Sequence, residues 1–427
     1  MCNHNRVKYA YDHFAKPYLN GLSPGCWSCS RGTWACVFVG LSCTKQCFFC
    51  LRRQKEPEDF LPYVDGQVRF DSAEKLVEYL KTFSFDGVAF SGGEPFLAFD
   101  RLLAFVRGIR SELGNEHYLW VYTNGDPVTE DKLKRLVESG LNELRMDLAA
   151  RRYDLKPLEL ALDRVPVVAV EIPAIPEDVE IVKDLLPRLE AMGVKYLNLH
   201  QLMTNDFTRE AFEARGYTVT RDEIYQDFFP VRESESAALE VLNHAAERNM
   251  RLGINYCSRF YKHSFQLSGF RRRYAPFCLS PGEIETSTGY LRSMVPVPEN
   301  GSEAEKASMD LLDAEGPPVK VLYSTPFLFS EDDPSQGVRE KRLEDWKACV
   351  SKGKVAELLL ENPTARLLFH LLFVEKKDID SVREEISQRF ETGPGDEDLM
   401  HADLLKFHRL FETYEHLDGR MPEAIGK

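Results

Sequence analysis

Three of the chain's ten cysteines fall within eight residues, Cys43-Thr44-Lys45-Gln46-Cys47-Phe48-Phe49-Cys50. A tetrahedral zinc site takes four protein ligands, or three and a water, and disulfides take thiols in pairs. Three thiolates at x3 and x2 spacing, with no fourth beside them, fit a four-iron cluster with one iron left without a protein ligand. Two short motifs follow, Ser91-Gly92-Gly93-Glu94-Pro95 and Thr123-Asn124-Gly125. Gly92 and Gly93 would let a backbone approach a ligand closely. Glu94 offers a carboxylate that accepts hydrogen bonds from an ammonium group.

These residues need a scaffold that brings them to one face, and the pattern around them supplies one. Short, apolar, often β-branched segments read as strands at 35–40, 87–91, 118–123, 143–148, 167–172, 195–200 and 251–256. Amphipathic segments of helical length lie between them, at 72–83, 100–113, 130–140, 179–193 and 235–249. In the segment 100–113, Leu102, Leu103, Phe105, Val106 and Ile109 fall on one side and Arg107 and Arg110 on the other. Such alternation makes a parallel sheet with right-handed crossovers. The expected fold is α/β, a full or partial TIM-like (β/α) barrel, with a doubly wound open sheet as the alternative. In a barrel the loops after the strands gather at one end. That end would collect the cysteine loop after the first strand, SGGEP after the second and Thr123-Asn124-Gly125 after the third.

Residues 1–34 read as a short N-terminal extension with a C-x2-C pair, and 35–280 as the barrel. Residues 281–427 read as a smaller, mainly helical α+β unit that could bind the substrate. Within it, the polar stretch 298–318 reads as a linker between strand-like segments at 289–297 and 319–329, and 364–374 is strongly apolar.

Bulk properties set the surroundings. The chain has 427 residues, 43% of them hydrophobic, and a net charge of −14. No apolar run approaches the roughly 20 residues that span a bilayer, and the N-terminus lacks the apolar core of a signal peptide. A cytoplasmic location follows, where thiols stay reduced and clustered cysteines read as metal ligands before disulfides. The acidic balance argues against nucleic acid as the default partner. The one basic run, Arg271-Arg272-Arg273, reads as a solvated helix face.

The remaining cysteines make a second set. Cys2 and Cys349 are isolated and read as ordinary thiols. Cys26 and Cys29 lie on a flexible approach to the first strand, Cys36 near that strand's start, Cys257 at the end of the last one, and Cys278 some way beyond. Cys36 and Cys257 therefore belong to opposite ends of the barrel. Cys26, Cys29 and Cys257, with Cys278 as a further candidate, would make an auxiliary metal site at the top. Cys26, Cys29 and Cys36 would make the rival site at the bottom. Polar residues at strand ends complete the candidates: Tyr122 and Thr123, Arg145 and Asp147, Glu171, and Asn198 and His200. Glu171 and His200 read equally as site residues or as a satisfied polar core, and Asp147 as a partner of Arg145 or Arg151.

In Cys43-x3-Cys47-x-Phe49-Cys50, followed by Gly92-Gly93-Glu94-Pro95 after the next strand, the sequence resembles the radical S-adenosylmethionine (radical SAM) superfamily over roughly residues 33–257. The resemblance implies an oxidoreductase-type enzyme with a [4Fe-4S] cluster on Cys43, Cys47 and Cys50. Its open iron would be chelated by the amine and carboxylate of S-adenosylmethionine. Ser91, Gly92, Gly93 and Glu94 would hold the methionyl part, with Phe49, Tyr122, Thr123, Asn124 and Arg145 nearby. Reductive cleavage would give a 5′-deoxyadenosyl radical that takes hydrogen from a substrate, with a flavodoxin or ferredoxin as electron donor. The phrases GCWSC, EIPAIP, LNLHQL and NYCSRFYKHSFQL are similar to those of an uncharacterised group related to the pyruvate formate-lyase activating enzymes. A peptide or protein side chain is the expected substrate. A small metabolite or cofactor precursor, or RNA, is the alternative.

Overall fold

The computed structural model describes residues 8–10, 16–52, 60–64, 68–220, 228–262, 266–278, 284–285, 289, 291–296 and 319–324. The chain divides into two compact units, residues 1–221 with 227–262, and residues 222–226 with 263–427.

In the first unit, two short strands, β1 (Lys8–Ala10) and β2 (Lys16–Leu19), come first, then a seven-residue helix, α1 (Pro24–Ser30). Ser23 caps α1 by accepting from the Cys26 amide, and Pro24 follows at the first helical position, where its missing N–H costs nothing. The alternation then begins with β3 (Trp34–Gly40), a small hairpin β4 (Tyr63–Val64) and β5 (Val68–Arg69), and α2 (Ala73–Thr82). It continues through β6 (Gly87–Gly92), α3 (Phe99–Leu113), β7 (Tyr118–Thr123), α4 (Glu130–Glu138), β8 (Glu143–Met146), α5 (Lys156–Leu162) and β9 (Val167–Pro173). Next come α6 (Val179–Met192), β10 (Tyr196–His200), the pair β11 (Met203–Thr204) and β12 (Phe229–Pro230) around α7 (Arg209–Glu213), α8 (Arg232–Glu247), β13 (Gly253–Cys257) and the single turn α9 (Arg259–Tyr261).

All seven expected strands are present, and they pair in parallel in the order β13-β10-β9-β8-β7-β6-β3. β2 extends the sheet antiparallel on β13, and β4 does so on β3. The ends of the sheet do not pair with each other, so the barrel is a partial one. Its central strands carry fully buried Leu144, Val121, Phe90, Val170 and Leu197, as parallel strands covered on both faces should. The α3 residues expected on one face, Leu102, Leu103, Phe105, Val106 and Ile109, are all buried.

The N-terminal segment departs from expectation. Cys26 and Cys29 do not lie on a flexible approach but on α1, which packs against the barrel strands. A Cβ at Gly25 would stand 2.5 Å from an Arg145 nitrogen and 3.2 Å from Trp120, and one at Gly87 would stand 2.7 Å from Ser28. The signal was the Ser23-Pro24 start, obscured by the poor helix formers that follow.

In the second unit, α10 (Leu267–Cys278) precedes β14 (Ile284–Glu285), β15 (Leu291–Pro296) and β16 (Val319–Ser324), which form a three-stranded antiparallel sheet. β15 and β16 fall within the expected segments 289–297 and 319–329, and β14 lies before them. The linker 298–318, the apolar stretch 364–374, Cys2 and Cys349 lie outside the described residues. Arg271 is buried and Arg272 exposed on α10, so the basic run is not one solvated face.

Candidate functional site at the ends of the parallel strands

The cysteine loop leaves β3 and lies against the end of β6. Gly93 donates its N–H to the Gly40 carbonyl and Glu94 to the Ser42 carbonyl, both at 2.8 Å. The fit is so close that a Cβ on Gly92, whose φ is +127°, would stand 2.0 Å from the Gly40 oxygen. One on Gly93 would stand 2.3 Å from the carbonyl oxygens of Leu41 and Ser42. The glycines were expected to admit a ligand; what they admit here is the backbone that starts the cysteine loop.

Glu94 is 1% exposed, and it ties this crossing to the third strand. One carboxylate oxygen accepts from Thr123 Oγ1 at 2.8 Å and from the Phe96 amide at 3.1 Å; the other accepts from the Asn124 amide at 2.7 Å. A carboxylate has about four lone-pair sites, so three chain donors leave one for a further donor. Burial raises its pKa to about 7 against the pull of these bonds.

Asn124 and Asp126 then hold the cysteine loop from β7. The Asn124 side-chain amide donates to Cys43 Sγ at 3.5 Å and to Thr44 Oγ1 at 3.0 Å. Asp126 accepts from Thr44 at 2.9 Å and pairs with Lys45 at 2.8 Å and with Arg151. Burial alone would raise Asp126, but Lys45, Thr44 and Arg151 hold it below the usual carboxylate range. Thr44, Lys45, Asp126 and Arg151 are clamp residues the motif reading missed. Their signal was position only, two of them inside the cysteine motif and one just after Thr123-Asn124-Gly125.

The three thiols are half-buried and feel one another's charge. Burial pushes Cys47 up to about 12, with Asp147, Cys50 and Cys43 adding to it; burial also raises Cys43. Phe48 and Phe49 stack edge-on, with ring centroids 5.3 Å apart, and pack on a cluster of Ile175, Leu202, Phe212 and Val231. Phe49 thus anchors the loop. Asp147 pairs with neither Arg145 nor Arg151; it follows β8, accepts from the Ala150 amide at 3.1 Å and lies close enough to act on Cys47. Burial raises its pKa to about 7.

Below the loop, a connected polar network fills the barrel interior. Arg145 is 3% exposed and binds Glu143 at 2.6 Å, Glu171 at 3.0 Å and Ser23 Oγ at 2.8 Å, with Tyr122 OH at 3.4 Å. Its guanidinium is committed to the chain. Glu171 also accepts from Asn198 at 2.8 Å and meets His200 Nε2 at 2.5 Å, while Lys262 Nζ stands 2.9 Å from His200 Nδ1. A neutral His200 with its proton on Nε2 satisfies both partners. Burial and the Lys262 charge lower its pKa. Burial works upward on Glu171, but His200 and Arg145 hold it well below the usual range. Glu171 and His200 are therefore parts of a satisfied network.

Cys26, Cys29 and Cys257 come together inside the same unit, around Lys16 of β2. Cys257 is the last residue of β13, as expected, but it is buried. The charge of Cys36 acts on Tyr122, mid-barrel. Cys278 ends α10, in the second unit. Among the described residues, no three Cys, His, Asp or Glu side chains converge on single-ion geometry.

Residues 37–158 match the model of the Radical SAM superfamily, so the chain carries a radical SAM domain that spans the cysteine loop, the glycine crossing and the clamp. It is a radical SAM enzyme, and its cofactors are S-adenosylmethionine and a [4Fe-4S] cluster. The chain is 26% identical over 309 residues to a protein of Methanocaldococcus jannaschii with the provisional name glycyl-radical enzyme activating enzyme; the match covers 70% of this chain and 78% of that one. Among solved structures it is similar to Streptococcus suis SuiB bound to S-adenosylmethionine, with a TM-score of 0.38, 11% identity and coverage of 54% and 51% of the two chains. It is also similar to the radical S-adenosylmethionine methyltransferase TsrM of Kitasatospora setae with tryptophan and an S-adenosylmethionine analogue, with a TM-score of 0.35, 14% identity and coverage of 50% and 52%. The chain spans about half the length of each of these two structures. No helix among the described residues is long and apolar enough to cross a membrane.

The glycine crossing gives a direct expectation. Gly93→Ala places a methyl group against two carbonyl oxygens that belong to backbone, so the two loops must separate. A destabilisation of about 2 kcal/mol or more is expected, read as a lower thermal midpoint, together with a loss of iron after anaerobic reconstitution. A variant with unchanged midpoint and iron would show that the crossing is not a constraint.

Proposed function

We propose that Cys43, Cys47 and Cys50 hold the [4Fe-4S] cluster and that the enzyme takes hydrogen from a peptide or protein. The observation that carries the first part is the pinned loop: three thiols, the donor type that iron–sulfur clusters require, on a backbone fixed by hydrogen bonds to Gly93 and Glu94. When bound, the cluster supplies the electron that splits the S-adenosylmethionine sulfonium and so generates the hydrogen-abstracting radical. The chain's own residues do the rest. Gly92, Gly93 and Glu94, with Ser91, Thr123 and Asn124, form the shelf for the methionyl part, and the remaining acceptor site of Glu94 takes its ammonium group. Phe49 and its apolar neighbours keep water from one side of the loop. Tyr122 and Arg145 support the shelf from below through the buried network. A flavodoxin or ferredoxin is the proposed electron donor, and the cytoplasm the proposed location, where the thiols stay reduced.

The protein or peptide substrate is supported by the Methanocaldococcus relative, whose name describes an enzyme acting on another enzyme. An RNA substrate draws less support, because Arg271 is buried and the net charge is −14.

Three measurements test this. The Cys43/Cys47/Cys50 triple alanine variant should lose about four irons per chain; an unchanged iron count would remove the ligand assignment. With a strong reductant and S-adenosylmethionine, the reconstituted enzyme should release 5′-deoxyadenosine, and Glu94→Gln should weaken S-adenosylmethionine binding about tenfold, or ~1.4 kcal/mol, while keeping its iron. Release of S-adenosylhomocysteine alone would refute the radical reading. For the substrate class, lysate from cells grown on deuterated amino acids is dialysed and added to the reaction. Deuterium entering 5′-deoxyadenosine from the retained, ribonuclease-resistant fraction is expected; transfer only from the small-molecule fraction would overturn the protein substrate.

A further inference from the structure

Lys16 presents an unbalanced charge. It is 0% exposed, and its ammonium has no hydrogen-bond partner among the described residues. Its ammonium stands over the face of Tyr261, 4.4 Å from Nζ to the ring centroid, and within reach of the charges of Cys26, Cys29 and Cys257. A buried cation without acceptors is costly, so a residue of this kind marks a place where an anionic group belongs.

The three thiols reach that place from two distant parts of the chain. Cys26 and Cys29 stand at i and i+3 on α1 and so share a helix face. Cys257 ends β13, and antiparallel pairing of Tyr18 with Asn255 and of Leu19 with Ile254 runs β2 back along β13 towards Lys16 and Cys257. Cys26 donates its thiol proton to Asn198 Oδ1 at 3.7 Å and Cys257 to Asn255 Oδ1 at 3.5 Å, and the Asn255 side-chain amide donates to Asn198. The thiols are thus oriented by side chains that belong to the buried network. The burial of Lys16, Cys26, Cys257, Asn198 and Asn255 keeps bulk water from most of this space.

We propose that Cys26, Cys29 and Cys257 ligate a second iron–sulfur cluster, with Lys16 as its counter-charge. Each thiol releases its proton on ligation. Three thiolates, a doubly positive cluster core and one ammonium then sum to zero, which balances the buried charge of Lys16. Three protein ligands leave one iron without a ligand from the chain. A multi-iron cluster spaces its ligands more widely than a single ion does, which agrees with thiols that are neighbours without meeting single-ion geometry. The second site stands independently of the assignment of Cys43, Cys47 and Cys50, since it shares no residue with it.

The test uses the full chain with Cys43, Cys47 and Cys50 replaced by alanine, reconstituted anaerobically with an equal mixture of ferric and ferrous iron and with sulfide. This variant should retain iron and acid-labile sulfide in near-equal amounts, and show an electron paramagnetic resonance signal after dithionite reduction. Adding Cys26→Ser and Cys257→Ser should remove both, with the far-ultraviolet circular dichroism spectrum unchanged. In the wild-type background, Lys16→Met should lower the second cluster's occupancy at least severalfold, and Lys16→Arg should restore it. A triple variant free of iron overturns the second site, as do zinc in place of iron and residual iron that ignores Cys26 and Cys257. Loss of fold in the serine variants is met by Lys16→Met, which removes no thiol: full occupancy in that variant would overturn the counter-charge role. If wild-type and triple variant hold equal iron, the first assignment fails while the second survives.

Discussion

The structure turns on a contact between two pieces of backbone. Gly92 and Gly93 let the chain just past β3 lie directly on the end of β6, with carbonyl oxygens where any side chain would stand. A peptide held at that distance by two hydrogen bonds has little freedom, and everything beyond it inherits the restriction. The cysteine loop therefore departs from a fixed point in a fixed direction. Glu94 extends the restriction to β7 by accepting from Thr123 and Asn124, and Asn124 and Asp126 return it to the loop. Three successive strands thus define one loop. A cluster that must exchange electrons and ligands without losing its orientation gains from ligands on such a frame, because the cost of ordering them is met during folding.

Beneath this frame the interior is ionic where a barrel core is commonly aliphatic. The run Lys262–His200–Glu171–Arg145–Glu143 joins three strands and the segment after β13 through side chains alone. Every charge in it faces an opposite or neutral partner, which is the condition for burying charges without a large penalty. The network also reaches α1 through Ser23. It couples the position of the C-x2-C helix to that of the strands whose ends carry the frame.

Much of this was legible from the residues. The seven parallel strands stood out because strands buried on both faces are continuous apolar, β-branched runs, and the α3 stripe of Leu102, Leu103, Phe105, Val106 and Ile109 matched its buried face. Cys43, Cys47 and Cys50 carried their chemistry in their spacing. What was not legible depended on partners far apart in sequence. β2 is four residues of mixed character, and β13, more than 230 residues on, ties it to the parallel strands. GCWSC looked like a flexible approach because Gly, Trp, Cys and Ser are weak helix formers; the cap at Ser23 and the packing of Gly25 under Arg145 make it a helix. Asp147 lay within reach of two arginines in sequence, yet strand register gave Arg145 to Glu143 and Glu171. The glycines of SGGEP were read correctly as sites of close approach, but the approaching group is the chain itself.

The pairing of β2 with β13 sets a sequence of events in time. Asn20 donates to the carbonyls of Met250 and Leu252, 230 and 232 residues away, and β2 has no other parallel-sheet neighbour. The contacts of Glu94, Asn124 and Asp126 that clamp the start of the cysteine loop can form once β7 and Asp126 have left the ribosome. Cys26 and Cys29 cannot meet Cys257 until the last parallel strand has been made. Loop closure over such a span is slow compared with pairing between neighbouring strands. For much of its synthesis the chain therefore presents a clamped cysteine loop and a C-x2-C helix that still lacks its third thiol. Iron delivered early in the life of the polypeptide meets only one of its two groups of thiols ready to receive it.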